Sequence, residues 1–396
     1  MNAQWKPSLS TGGQIARTLV TTVLLSTPGV TSAEVAQCAD AGLRPPAGYY
    51  QAPAASDGGD YNCESVPPFT DSLVFTSKYE GSDDARNELN QQAEQEYHAA
   101  VEKVRNFEKR VIAAADDYQV DGDGPAARAC ALSILDSWAS ADALLNPEVN
   151  HVGQAVRKWA LTAAANGYLR VTRSGDRDAL DPAQLARIRN WFDKLTTQIR
   201  KYYSDRPLRK VNNHDYWAAW AVMSAAVATQ NCDDWDWALG KFDEAMGQVT
   251  DDGYLPNELG RNTRALEYMN FALQPLTLMT VFAEANHVGL HHRYQRKLNA
   301  LATNVTAGLN DPGTVQAVTG YEQVTDGLYT AWSLAWMKPW QATWGDVATM
   351  PSFIDRFGPM QSTRLGGDLH WLYRIGPTAW VAGREPTAPR DVTIKE

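Results

Sequence analysis

Apolar residues recur along most of this chain with the period of an α-helix. Tyr97, Val101, Val104 and Val111 share one helical face, as do Val152, Val156, Trp159 and Ala163, and then Leu185, Ile188, Phe192, Leu195 and Ile199. Trp235, Leu239, Phe242, Met246 and Val249 repeat the pattern, followed by Tyr294, Leu298, Leu301 and Val305. Asp181-Pro182 supplies a helix start, a capping acceptor before the residue favoured at the first helical position. Pro275 is expected to kink or end the helix around it. No segment alternates apolar and polar residues long enough to compete as a strand. The connections are short and rich in turn residues, as in Asp121-Gly122-Asp123-Gly124-Pro125 and Asp251-Asp252-Gly253. Roughly ten helices joined this way predict an all-α protein of antiparallel helix pairs.

The ends read differently. Lys6 and Arg17 precede a modest apolar run, Leu19 to Leu25, and small residues at Thr31-Ser32-Ala33, so residues 1–33 are expected to be a secretory signal. No later stretch approaches ~20 uninterrupted apolar residues, and no membrane span is expected. Residues 34–76, with Pro45-Pro46, Gly58-Gly59 and Pro67-Pro68, form an irregular leader; 77–385 carry the helical domain and 386–396 a polar tail. Export would place Cys38, Cys63, Cys130 and Cys232 in an oxidising compartment, where four cysteines allow three complete pairings. No CxxC spacing suggests zinc, and His287, His291 and His292 read as a solvated helix face, so no metal is expected.

Composition narrows the choice of ligand. With 396 residues, 44% hydrophobic and 21% charged, the chain can bury a large core. Its 14 Trp and 16 Tyr suit either that core or a sugar-stacking cleft. The net charge of −10 becomes −12 without Lys6 and Arg17, which argues against a nucleic-acid partner. An anionic ligand would need a local basic cluster.

Three segments carry candidate chemistry. Asn212-Asn213-His214-Asp215-Tyr216-Trp217 packs two carboxamides, an imidazole, a phenol and an indole at a helix start, a polar ligand site or a cap above a core histidine. In Pro256-Asn257-Glu258-Leu259-Gly260-Arg261-Asn262-Thr263-Arg264-Ala265-Leu266-Glu267-Tyr268, a helix would stack Arg261, Arg264 and Tyr268 on one face. Two guanidinium groups beside a phenol favour a carboxylate ligand and lower the cost of ionising the tyrosine. Phe75 to Asp83 holds the pair Lys78-Tyr79 before Gly81; Asn150-His151 opens the helix of Arg157, Lys158 and Trp159; and Arg364-Leu365-Gly366-Gly367 sets a cation beside two glycines, where backbone can approach a ligand.

Through Ser77-Lys78-Tyr79-Glu80-Gly81-Ser82-Asp83, Asn212-Asn213-His214, Tyr216-Trp217, Leu255 to Tyr268 and Arg364 to Gly367, in register from about residue 46 to about 370, the sequence resembles the periplasmic alginate lyases, the mannuronate-specific enzymes of polysaccharide lyase family 5. The resemblance implies an all-α, incomplete (α/α) toroid with a central cleft. It implies cleavage of 1,4-linked β-D-mannuronate by β-elimination without metal or other cofactor, leaving a 4,5-unsaturated uronate. By the same match Asn213, His214, Arg261 and Tyr268 take catalytic positions, Lys78, Tyr79 and His151 hold substrate, and Tyr216, Trp217, Arg264 and Arg364 complete the binding set. Cys63 and Cys130 match a family disulfide, whereas Cys38 and Cys232 match no family pair. The implied partners are a mannuronate-rich anionic polysaccharide and the alginate biosynthesis and export machinery of the periplasm. Asp215 departs from the family pattern, where Ser follows the histidine, and is expected to perturb His214.

The physics of such a reaction is consistent with these residues. Removing the C5 proton of a uronate builds charge beside a carboxylate, which Arg261 and the Asn213 amide could neutralise. Tyr268, its pKa lowered by Arg261, could take the proton and return it to O4, with His214 assisting or serving as the base. Lys78, Arg157, Lys158, Arg261, Arg264 and Arg364 are then expected to converge on the cleft of an acidic body. Two rivals stand beside this reading: an (α/α) glycoside hydrolase using Glu80, Asp83 or Glu258, and a non-catalytic polysaccharide-binding protein.

Overall fold

The computed structural model describes residues 42–53, 61–121, 124–176 and 179–378, together with Cys38. The expected signal segment 1–33 and the tail 386–396 lie outside the described residues. The first apolar pattern is two helices, α1 (Gln91–Ala100) and α2 (Glu102–Asp116), broken at Val101. Then follow α3 (Gly124–Ser140), α4 (His151–Arg173), α5 (Pro182–Tyr203), α6 (Asn213–Thr229), α7 (Cys232–Gln248), α8 (Ala265–Ala285) and α9 (Leu290–Asn310). Asp181 caps α5 as expected, accepting from the Ala183 N–H.

Helices α2, α4, α6 and α8 pack side by side in succession as an inner layer, and α3, α5, α7 and α9 cover them as an outer one. The chain alternates between layers, so each hairpin turns one helix inward and the next outward. This is the expected (α/α) toroid. The inner helices α4, α6 and α8 are buried on nearly every side because they touch neighbours on every side, whereas α2 keeps an exposed charged face with Lys103, Lys109 and Arg110; in α6 the buried set runs from Tyr216 through Val227 without a gap. The outer helices keep one apolar stripe, as in α5, where Ile188, Phe192, Leu195 and Ile199 are buried.

Pro275 does not end its helix. It lies inside α8, and the Phe271 carbonyl that its missing N–H leaves free accepts instead from Trp217 Nε1 at 3.2 Å. Among the described residues the strands are a single two-residue antiparallel pair, Gln361–Ser362 with Gly367–Asp368, too short to show alternation. Among its described residues the leader is irregular, with one 3-10 turn at Ala47–Tyr50. Leu73 docks beside Val149 at the start of α4, where a Cβ on Gly153 would lie 1.8 Å from the Leu73 carbonyl oxygen. That close approach fixes where Ser77 to Asn90 can cross the inner helices. Two disulfides tie the leader to outer helices, Cys63–Cys130 to α3 and Cys38–Cys232 to α7. The second is the pair that family resemblance left open, joining the leader to the first turn of α7.

His291 is not solvated as the sequence suggested. It is 8% exposed, stacks on Trp344 at 4.5 Å and shares a hydrogen bond with Asn299. Among the described residues no three His, Cys, Asp or Glu side chains gather as metal ligands, and no helix is long and apolar enough to cross a membrane.

Candidate active site

The start of α6 is set by a reciprocal cap. Asn212 accepts from the His214 N–H, and Asp215 accepts from the Asn212 N–H. Asp215 is 1% exposed and pairs with Arg206 at 2.9 Å. It therefore serves the cap and an ion pair and does not perturb His214 as expected. Burial and the cations Lys158, Arg206 and Arg261, with His151, push the His214 imidazole well below its ordinary pKa. Asn213 and His214 occupy the first turn, where the helix dipole favours an anion.

Glu258, fully buried on the single turn Pro256–Leu259, fixes Asn213. Its Oε1 accepts from the Asn213 N–H at 2.6 Å, and both carboxylate oxygens lie 3.1–3.2 Å from Asn213 Nδ2. The Oδ1 of Asn213 is buried without a partner. An ionised Glu258 thus turns the amide so that its acceptor end is the unused one. Burial lifts the Glu258 carboxyl to about 7, and the two Asn213 donors and Arg261 oppose the rise. Sequence reading gave Glu258 only as a hydrolase candidate. With Glu258 buried behind Asn213, and Glu80 and Asp83 exposed on their loop, these carboxylates do not form a hydrolase pair.

Opposite, the loop from Ser77 to Asn90 brings Tyr79 to Tyr268. Their hydroxyls lie 2.6 Å apart, and the Arg261 guanidinium sits 3.6 Å over the Tyr268 ring and 5.2 Å from that of Tyr79. Arg261 donates to the Arg86 carbonyl, while its Nε is buried without a partner. Lys78 lies 5.1 Å over the Tyr79 ring. Arg261 precedes α8 and does not belong to it; a 3-10 turn, Asn262–Arg264, delivers it to Tyr268. Arg261 does oppose the ionisation cost of Tyr268, but burial outweighs it, and the phenol is held well above its ordinary pKa. This reverses the expected shift.

The third wall comes from α4. His151 lies 5.0 Å from His214 ring to ring and contacts the Tyr202 hydroxyl at 2.9 Å. Burial, with Lys158, Arg206 and Arg86, lowers its pKa to about 4. Trp159 lies 6.0 Å from His214 and 6.3 Å from Phe271, with its Nε1 unpartnered, and Arg364 covers it at 4.2 Å while paired to Glu108. Three unused buried polar atoms, Asn213 Oδ1, Arg261 Nε and Trp159 Nε1, thus belong to residues of this one cluster, which suits a polar ligand.

Several expected members are elsewhere. Tyr216 and Trp217 are 2% and 1% exposed core residues, their polar atoms given to Gln248 and the Phe271 carbonyl. Arg157 is fully buried and donates to the Leu144 and Asn146 carbonyls. Arg264 is neutralised by Glu267 at 2.6 Å and braces the loop through the Asn87 carbonyl. Gly366 and Gly367, both at positive φ, make room for Tyr49, Arg170 and Asp116 and not for a ligand. Arg86 and Arg206 went unassigned in the sequence because nothing in their local spacing marks them, and Trp159, though on the candidate segment after His151, read equally as part of an apolar helix face.

A family model described as alginate lyase matches residues 74–315, more than half of the chain. An alginate lyase of Pseudomonas entomophila is 41% identical over 342 residues, covering 85% of this chain and 93% of its own, and one of Pseudomonas aeruginosa is 40% identical over 355 residues, covering 88% and 96%. The chain belongs to the alginate lyase family. Membership makes it a polysaccharide lyase, and the architecture agrees. Alginate lyase A1-III of a Sphingomonas species, solved as a histidine variant with a tetrasaccharide, superposes with a TM-score of 0.70 at 22% identity over 86% of this chain and 93% of that one. An alginate lyase from Bacteroides ovatus gives a TM-score of 0.53 at 16% identity. Within the family, the cluster around His214, Tyr268, Asn213 and Arg261 is the candidate active site.

Proposed function

We propose that this lyase cleaves 1,4-linked β-D-mannuronate in alginate by β-elimination without a metal, leaving a 4,5-unsaturated uronate at the new non-reducing end. The observation that carries the proposal is the Arg261 guanidinium lying 3.6 Å over Tyr268 while Tyr79 touches the Tyr268 hydroxyl at 2.6 Å. A cation, a proton-handling phenol and a second hydroxyl then meet at one point.

Arg261 and the first turn of α6 neutralise the uronate carboxylate, which makes the C5 proton removable and stabilises the enolate-like charge that follows. The Asn213 amide, held by Glu258, offers Oδ1 to a sugar hydroxyl. Tyr268 takes the C5 proton and delivers it to O4. Its own resting proton leaves first, passed to the Tyr79 hydroxyl as Tyr79 gives its own proton to solvent, and Arg261 compensates the phenolate so formed. In mannuronate the C5 hydrogen and O4 lie on one face of the ring, so a single group serves both steps. In guluronate they lie on opposite faces. Lys78, His151 and Arg364 hold the neighbouring sugars.

The cysteines and the N-terminal signal pattern support export to the periplasm, and work beside the alginate export machinery belongs to the same proposal. Purified protein on poly-mannuronate and poly-guluronate tests it through ultraviolet absorbance of the new double bond. Strong absorbance on the first and little on the second is expected. Chain shortening without absorbance would mean hydrolysis; binding without either would mean a carbohydrate-binding protein.

A further inference from the structure

Directly beneath His214 lies a lysine whose cost the fold does not explain. Lys158, two turns along α4 from His151, is fully buried. Its Nζ lies 2.9 Å from each of three atoms: Tyr203 Oη, the His214 carbonyl oxygen and His214 Nδ1. The rings of Tyr203 and Trp159 flank it at 4.7 and 5.4 Å. Burying an ammonium is expensive, and an apolar residue of similar volume often serves a core equally well. A buried cation aimed at a ring nitrogen is therefore better explained by what it does to that ring.

An ammonium has three donors and no acceptor. Here it has three partners, one for each hydrogen. The His214 carbonyl can only accept, and Nδ1, facing a donor, must carry its lone pair towards Lys158. The single proton of the neutral imidazole then sits on Nε2. That nitrogen hydrogen-bonds to no described residue, and the His214 ring is partly exposed beside His151 and Trp159. Burial and a charge on Lys158 both oppose protonation of the ring, while burial holds the pKa of Lys158 itself well below the ordinary lysine value, a fall that Asp215 opposes without cancelling.

We propose that Lys158 is a positioning residue that locks His214 in its Nε2–H form, so that His214 meets the substrate carboxylate as a neutral donor and cannot accept the C5 proton. This rests on the functional reading above, and it divides the roles of His214 and Tyr268, which the sequence left undivided. The proton path then runs through Tyr268 and Tyr79 alone.

Two measurements test it. In the wild-type enzyme carrying 15N-labelled histidine, long-range proton–nitrogen spectra should show His214 with a bare Nδ1 and a protonated Nε2; the opposite tautomer overturns the proposal without any variant. Lys158→Met should lower kcat by about 10- to 100-fold, with KM changed a few-fold at most, the size of loss known for partners that orient metal-bound histidines. In a His214→Ala background the same substitution should cost almost nothing further, because Lys158 acts through His214. Independent, multiplying losses would overturn the role of Lys158 and leave the lyase reading intact. Full activity of His214→Ala would overturn the role given to His214, and this inference with it, while the lyase reading stood; no absorbance gain from the wild-type enzyme on poly-mannuronate would instead remove that reading.

Discussion

Tyr268 shows how two neighbours pull a single side chain in opposite directions. Arg261 over its ring favours the phenolate, yet an 8% exposed phenol loses most of the hydration that would stabilise that charge, and burial wins. The resting protein therefore holds a neutral phenol, and in the proposed mechanism its ionisation must be driven at the moment of reaction. Tyr268→Phe keeps the ring and its guanidinium contact but removes the proton carrier, so kcat should fall by about 10³-fold with oligosaccharide affinity nearly unchanged; calorimetric binding beside the absorbance assay reads both. Glu258 gives a pH prediction. Its carboxyl, raised from 4.5 to about 7, holds its proton more tightly folded than unfolded, so its contribution to stability is complete below pH 4.5 and is lost as pH rises through 7. The difference amounts to roughly 3 kcal/mol. Glu258→Gln cannot titrate. Denaturant unfolding at pH 4.5 and pH 8 should show wild type losing that much relative to the variant; parallel curves would contradict the shift. The identity of these residues was legible because each belongs to a motif. Their protonation was not, because it depends on burial and on charges such as Arg206 and Arg86 that come from distant segments.

At the scale of the element, the first turn of α6 was the most readable part of the site. Asn212 announced a cap, and the cap places Asn213 and His214 at the positive end of a 17-residue helix. Asp215 could be read only as an extra charge beside the histidine, since its true partners, the Asn212 N–H and Arg206, require the turn to be folded. Asp215→Ala removes the reciprocal cap and leaves Arg206 without its buried partner, which should cost about 3–5 kcal/mol in unfolding experiments. A loss under 1 kcal/mol would mean that the ion pair contributes little. The same limit applied to α8. Pro275 carries a helix-breaking signal in isolation, but Trp217 from α6 satisfies the freed Phe271 carbonyl, a compensation no single-element reading could supply. Tyr216 and Trp217 failed as ligands for a related reason: an inner helix faces neighbours on every side, so the polar tips of its aromatics are used within the core.

For the whole molecule, the two disulfides span sequence separations of 194 and 67 residues. In the loop-entropy account the Cys38–Cys232 bond contributes about 5 kcal/mol and the Cys63–Cys130 bond about 4. Replacing both Cys38 and Cys232 by Ser should therefore lower stability by at least as much as the corresponding Cys63 and Cys130 pair, while the folded fraction keeps its lyase activity, because neither bond includes a residue of the cluster; the reverse order of stabilities would show that strain or residual unfolded structure decides. An acidic body with cations gathered at one site was expected from net charge, but the membership of the candidate site differs: Arg157 belongs to the core, Lys158 lies beneath His214, and Arg86 and Arg206 act on it through their charges on His151. By itself the sequence determined the helices, their order and the motifs bearing the chemistry, since hydrophobic period, caps and residue identity are local properties. Only the tertiary structure decided which cations reach the candidate site, which aromatics are core, how Cys38 pairs and which protons are held, because burial and charge proximity arise when segments far apart in the chain are packed together.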